Sequence, residues 1–244
     1  MESMTRNGRL ALVTGANKGI GREIARGLGQ LGFTVLASAR DLHRGAQTVA
    51  ELADDGLDVR FLQLDVTEEA SVDAAADRVA ADFGCLDVLV NNAAIANELE
   101  TLPSMTVLDD MRRVYETNVF GVVAMTNAML PLLRKSDAAR IVNVSSRLGS
   151  ISQQAAADTA LGLSMAYASS KSALNAITVH YARELADTQI KVNACTPGYV
   201  ATDLNGHRGV RTPAQGAKIT VELAVLASDG PTGGFFDEDG PVSW

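Results

Sequence analysis

The chain predicts a single doubly wound α/β domain built on a parallel sheet of six to seven strands. Short apolar runs alternate with segments of helical period from one end of the sequence to the other. The runs are mostly continuous in apolar character, as strands covered by helices on both faces require. The first run leads straight into a glycine-rich turn and a helix, which is how βαβ sheets begin.

The candidate strands are residues 10–13, 33–37, 59–64, 86–90, 141–144 and 190–194. Helical periodicity occupies 20–31, 46–53, 70–83, 107–133 and 167–185. No Pro/Ser-rich linker, charge block or repeat divides the chain, and its six prolines are scattered. Residues 10–244 are therefore expected to form one domain behind a short polar tail, residues 1–9. A length of 244 residues suits one such unit. At that size the core needs no metal or disulfide staple.

Hydrophobic residues at 47% and charged residues at 20% describe an ordinary globular domain. A net charge of −8 opposes phosphate neutralisation, so no nucleic-acid partner is expected. The longest apolar stretch, 119–133, is interrupted by Thr126, Asn127 and Pro131 and is too short to span a bilayer. No apolar segment of signal-peptide length precedes residue 10. With Cys85 and Cys195 as the only cysteines, the expectation is a soluble cytoplasmic protein with no membrane partner. His43, His180 and His207 lack metal-ligand spacing, and the cysteines lie far apart, so no metal is expected. No G-x-S-x-G elbow supports hydrolysis.

Strand 10–13 runs into Thr14-Gly15-Ala16-Asn17-Lys18-Gly19-Ile20-Gly21 and then a helix. Such a turn offers backbone N–H groups and the positive end of a helix dipole to a pyrophosphate. Its spacing is not G-x-G-x-x-G, so that fingerprint does not apply.

The same segment resembles the T-G-x-x-x-G-x-G turn of the short-chain dehydrogenase/reductase family. Asn91-Asn92-Ala93-Ala94 resembles that family's N-N-A-G segment, Asn118 its mid-helix asparagine, and Asn143-Val144-Ser145-Ser146 its catalytic-serine strand. Tyr167-Ala168-Ser169-Ser170-Lys171 matches Y-x-x-x-K, and Pro197-Gly198-Tyr199-Val200-Ala201-Thr202 matches P-G-x-V-x-T. Order and rough spacing agree over nearly the whole chain. Asn17-Lys18, Leu64-Asp65-Val66, the stretch ending at Asp203 and the terminal Trp244 are most similar to the carbonyl-reductase-like branch. Two departures stand out: Ala94 replaces the usual glycine, and Ser146 and Tyr167 are twenty-one positions apart, longer than is usual.

The resemblance implies a Rossmann-type oxidoreductase that uses NADP(H) on a small carbonyl or alcohol substrate. By resemblance, cofactor contacts fall on Gly15, Asn17, Lys18, Gly19, Ile20 and Gly21, and on Asp65 and Val66 after the third strand. They continue on Asn91 and Ala93 after the fourth strand, on Pro197, Gly198, Val200 and Thr202 after the sixth, and on Tyr167 and Lys171. Asp65 would meet the adenine or cap the next helix. Thr202 would hold the nicotinamide carboxamide. An NAD site would place an acid at the end of the second strand to receive the ribose 2′-OH. Here Ala39 and Arg40 stand there, so Arg40, with Lys18 and Arg44 adding charge, points to the 2′-phosphate of NADP(H).

Tyr167 and Lys171 lie four residues apart in a helical segment and share one face. A nearby ammonium favours the phenolate, so Lys171 is expected to bring Tyr167 toward the working pH range. By resemblance Tyr167 is the acid–base group, Ser146 the donor to the carbonyl oxygen, and Lys171 a ligand of the ribose hydroxyls. Asn118 would hold a water that links Lys171 to solvent. Ser145 would face the opposite side of the strand. The reading is thus an NADPH-dependent carbonyl reduction, reversible, by an Asn118, Ser146, Tyr167 and Lys171 group. The rival is a non-catalytic NADP(H)-binding regulator on the same fold. Monomer and homo-oligomer both remain open, since the extra residues before Tyr167 could cover the surface through which family members often associate.

Overall fold

In the computed structural model, which describes residues 8–97, 101–156, 158–159 and 161–244, the apolar runs become the strands of one sheet. β1 (Leu10–Val13), β2 (Thr34–Ala39), β3 (Val59–Gln63), β4 (Val88–Asn91), β5 (Arg140–Val144) and β6 (Lys191–Cys195) follow the expected order. Most of the expected tail, residues 1–7, lies outside the described residues.

The sheet has eight strands, not six to seven. β7 (Phe235–Asp237) adds a seventh parallel strand through Ala194↔Phe235 and Cys195↔Phe236, and β8 (Gly240–Pro241) turns back antiparallel on it. Strands this short hold too few residues for a period, so their pairing partner defines them. The order across the sheet is β3-β2-β1-β4-β5-β6-β7-β8.

Helices α1 (Gly19–Gln30), α2 (Leu42–Asp54), α3 (Glu69–Asp82), α4 (Leu108–Tyr115), α5 (Gly121–Leu133), α6 (Ile151–Gln154), α7 (Met165–Glu184) and α8 (Pro213–Ala224) connect and cover the strands. The single helix expected over 107–133 is divided by a π-helical turn, Glu116–Phe120, in which the Gly121 N–H reaches back to the Glu116 carbonyl. The periodic reading lacks α8. Its start is nevertheless written in the sequence: Thr212 caps the helix, Pro213 opens it, and Gln215 closes a capping box.

Alternate residues of β1 enter opposite layers. Leu10 and Leu12 join Leu62, Val72, Met125, Leu133 and Leu185, while Ala11 and Val13 join Ile24, Leu28, Leu52 and Leu223. Both faces of the sheet are thus buried at β1, which explains why that strand is apolar throughout. Among the described residues, no helix is long and apolar enough to cross a membrane.

Candidate active site

Strand order reverses at β1, which lies between β2 and β4, and open α/β sheets bind ligands in the crevice at the C-terminal strand ends of such a reversal. The glycine turn lines that crevice. Gly15 and Gly19 have φ of 64° and 55°, a backbone region that favours glycine. A Cβ on Gly15 would lie 2.9 Å from Ala93 Cα, and one on Gly21 would lie 2.4 Å from both Asn92 Nδ2 and Gly15 O. The turn therefore presses directly on the segment after β4.

Thr14 and Asn92 make that join, and the sequence reading assigned neither a role. The Thr14 hydroxyl accepts the Asn92 and Ala93 N–H groups at 2.9 and 3.0 Å. In return the Asn92 amide donates to the Thr14 and Gly15 carbonyls at 2.8 and 3.1 Å. On the far side, a Cβ at Gly19 would sit 3.4 Å from the Thr202 methyl. Gly15, Gly19, Gly21, Ala93 and Thr202 thus come together. Lys18 at the start of α1 gives no side-chain cap, and the first turn holds no acid. Its N–H groups and positive dipole end fit a pyrophosphate.

The end of β2 fits a 2′-phosphate. Ala39 is buried and brings no carboxylate. Arg40 follows it, exposed and without an ion-pair partner among the described residues. Asp41 is turned away to cap α2, accepting the Arg44 N–H at 3.0 Å, and this hydrogen bond holds its carboxyl below the usual range. Arg44 Nε stands 3.8 Å from the same carboxylate. Lys18 Nζ lies 2.6 Å from Asp203, whose other oxygen meets His207 Nε2 at 2.7 Å. Both members of the Lys18–Asp203 pair are half exposed, and such pairs exchange partners at little cost.

The remaining predicted contacts are structural as well. Asp65 accepts the Thr67 N–H and hydroxyl at 3.0 and 2.7 Å, a local turn. Val66 packs against Gly121 at the start of α5. The Asn17 carbonyl accepts the Thr48 hydroxyl at 2.9 Å. Asn91 donates to Asn143 at 2.9 Å and keeps one buried amide oxygen without a partner. Ile20 is half-buried in the first turn of α1. Gly198, after Pro197, has φ of 78°, and Val200 is buried in a bridge with Arg211.

Tyr167 and Lys171 are both buried on α7, 7% and 2% exposed. Ser146 lies close enough to the Tyr167 hydroxyl to favour its ionised form. Lys171 Nζ lies 5.6 Å from the Tyr167 ring centre and donates to the Val144 carbonyl at 2.8 Å. Burial pushes Tyr167 up to about 12, against the lowering effect of Ser146. Burial also pushes Lys171 down to about 8, against the raising effect of Cys195. The expected lowering of Tyr167 by Lys171 is therefore not produced by the chain's own groups: Nζ is anchored on Val144 O, and desolvation dominates.

Asn118 is fully buried in the π-helical turn. Its Oδ1 accepts the Ile95 N–H at 2.9 Å, while Nδ2 donates to Ile95 O at 2.9 Å and Ser170 Oγ at 3.0 Å. The side chain therefore ties the loop after β4 to α7, immediately before Lys171. Ser145 also turns toward α7: its hydroxyl donates to Asn175 Oδ1 at 2.6 Å and reaches the Lys171 carbonyl at 3.4 Å. Among the described residues, no group of three His, Cys, Asp or Glu is placed to hold a metal ion.

The family model for short chain dehydrogenases matches residues 9–211. Carbonyl reductase (NADPH) 1 of Sus scrofa is 34% identical over an alignment that covers 99% of this chain and 96% of that protein. The crystal structure of NADPH-bound carbonyl reductase from chicken fatty liver superposes with a TM-score of 0.85 at 32% identity, covering 98% of this chain and 100% of the other. Salutaridine reductase from Papaver somniferum superposes with a TM-score of 0.84 at 31% identity, covering 94% and 100%.

Proposed function

The chain belongs to the short-chain dehydrogenase family, and we propose that it reduces an aldehyde or ketone to an alcohol with NADPH, reversibly. The observation that carries this reading is the buried Tyr167, with Ser146 close to its hydroxyl and Lys171 Nζ 5.6 Å from its ring centre. Arg40, with Lys18 released from Asp203, holds the 2′-phosphate, and the uncapped start of α1 holds the pyrophosphate. When bound, the nicotinamide supplies the hydride.

Ser146 and Tyr167 donate hydrogen bonds to the carbonyl oxygen as it gains negative charge, and Tyr167 gives up its proton. A phenol held near 12 is protonated at neutral pH, the form that reduction needs. Alcohol oxidation needs the phenolate and is favoured at higher pH. Lys171 binds the ribose hydroxyls and lends positive charge beside the ring. Both amide protons of Asn118 are engaged, so a water held by this residue would be bound through one of its oxygens.

The test is absorbance at the reduced-nicotinamide band with NADPH and a panel of small carbonyl compounds, followed across pH in both directions. The expected result is saturable turnover, with reduction failing and oxidation rising as Tyr167 ionises. Tight NADPH binding with no turnover on any carbonyl would instead support the regulatory role.

A further inference from the structure

We propose that Asn175 is a positioning residue that sets Ser146 against Tyr167 by holding both flanks of the turn that carries the serine. This rests on the reading of Ser146 and Tyr167 above. Asn175 is 4% exposed and lies one turn beyond Lys171 and two beyond Tyr167, on the same face of α7. Its Oδ1 accepts the Ser145 hydroxyl at 2.6 Å, and its Nδ2 donates to the Gly149 carbonyl at 3.1 Å. Ser145 precedes Ser146 and Gly149 ends the short 3₁₀ turn that follows it. One amide thus spans the corner from both sides.

That corner lies directly on the helix. A Cβ on Gly149 would meet the backbone carbon of Lys171 at 2.7 Å, so the turn has no slack toward α7. Ser172 adds a second hydrogen bond to the Gly149 carbonyl at 3.0 Å. Among the described residues, the Ser146 hydroxyl accepts a single hydrogen bond, from the Leu148 N–H at 3.2 Å. Its direction is therefore inherited from the backbone that Asn175 clamps. Holding a hydroxyl on one side and a carbonyl on the other takes an acceptor and a donor on one short side chain, which asparagine provides.

Thr178 separates positioning from packing. One turn further along the same face, and fully buried, it accepts the Asn143 amide at 2.9 Å and donates to Leu174 O at 2.8 Å. It also ties α7 to β5, but away from the corner. Among the described residues, the charged group against Tyr167 is Lys171, which Cys195 of β6 faces in turn. Neither changes in the variants compared.

The experiment sets Asn175→Ala beside Thr178→Val and Tyr167→Phe, with NADPH and para-nitrobenzaldehyde, and the corresponding alcohol for oxidation. Asn175→Ala should lower kcat about 10- to 100-fold while NADPH Kd stays within about twofold, since displacement of a reacting group by about 1 Å has that scale of effect. Its oxidation profile should move to higher pH, because a loosened Ser146 no longer stabilises the phenolate. Hydrogen exchange should rise in residues 146–150 of the protein without cofactor. Thr178→Val should lose stability without moving the pH profile. If Asn175→Ala does not fold, Ser145→Ala removes one of the two flank contacts and should shift kcat and pH in the same directions. A Tyr167→Phe protein with more than about half the wild-type rate would refute the site reading, and the proposal with it. With Tyr167→Phe inactive, an Asn175→Ala protein that loses no more kcat than Thr178→Val and keeps the wild-type pH profile would refute the proposal alone.

Discussion

Replacing Lys171 by methionine should make the protein relatively more stable at neutral pH than in alkali, because the wild-type fold buries an ammonium. Burial moves the group from 10.5 to about 8, a difference of roughly 3 kcal/mol between its two protonation states. Below the folded value both states carry the proton, and the folded state bears the full penalty. Between 8 and 10.5 the unfolded chain binds a proton that the folded chain has released, so wild-type stability rises with pH. Methionine has no such window.

The substitution also removes the 2.8 Å hydrogen bond to Val144 O, a loss of about 1–3 kcal/mol that offsets part of the gain near pH 7. The change in relative stability is insulated from that loss. From about pH 7 to about pH 10.5, the stability of Lys171→Met minus that of wild type should fall by roughly 3 kcal/mol. Tyr167 acts in the opposite sense and in a higher window, since its raised value removes stability from 10 up to about 12. It is present in both proteins and cancels. Urea denaturation followed by circular dichroism at several pH values measures the difference. Parallel stability curves over that window would refute the burial argument for Lys171.

Tyr167→Phe keeps the ring and removes the acid, so kcat for carbonyl reduction should fall about 10²–10⁴-fold. Unchanged NADPH affinity by fluorescence titration would assign that loss to chemistry; a matching loss of affinity would not. Wild-type kcat/KM should favour NADPH over NADH by about tenfold or more, the low end for charge-assisted hydrogen bonds from an exposed arginine. Ala39→Asp combined with Arg40→Ser should reverse the preference, and indifference of the wild type to the two cofactors would remove the 2′-phosphate role of Arg40.

The sequence carried the site where the chemistry needs local spacing. Tyr167 and Lys171 share a face because they are one helical turn apart, and β1 feeds the glycine turn because they are contiguous. What escaped it depends on partners distant in the chain. β7 is a strand because β6 lies beside it. The turn at Asn118 widens where its amide must reach Ile95 and Ser170. Thr14 and Asn92 read as parts of motifs, and only the fold shows that they bond to each other. The direction of the Tyr167 shift also needed the fold, since spacing shows that an ammonium is near but not that it is anchored on Val144 or how dry the pair is.

Dryness and geometry at this site have one cause. Keeping Tyr167 protonated and Lys171 reluctant to charge requires that water be excluded, and an unpartnered polar group costs about 1–3 kcal/mol in such surroundings. The strand ends meet that demand in pairs: Asn91 with Asn143, Asn143 with Thr178, Ser145 with Asn175, and Asn118 with Ser170. Each pair joins one structural element to another, linking β4 to β5, β5 to α7, and the π-helical turn to α7. Two of these pairs, Ser145 with Asn175 and Asn118 with Ser170, lie beside the reacting groups and also fix Ser146, Tyr167 and Lys171 relative to one another. A substitution that breaks either of these two should admit water and loosen geometry together, whereas Thr178→Val, or a cavity made in the Leu12 and Met125 layer, should lower stability with the pH profile of turnover left in place.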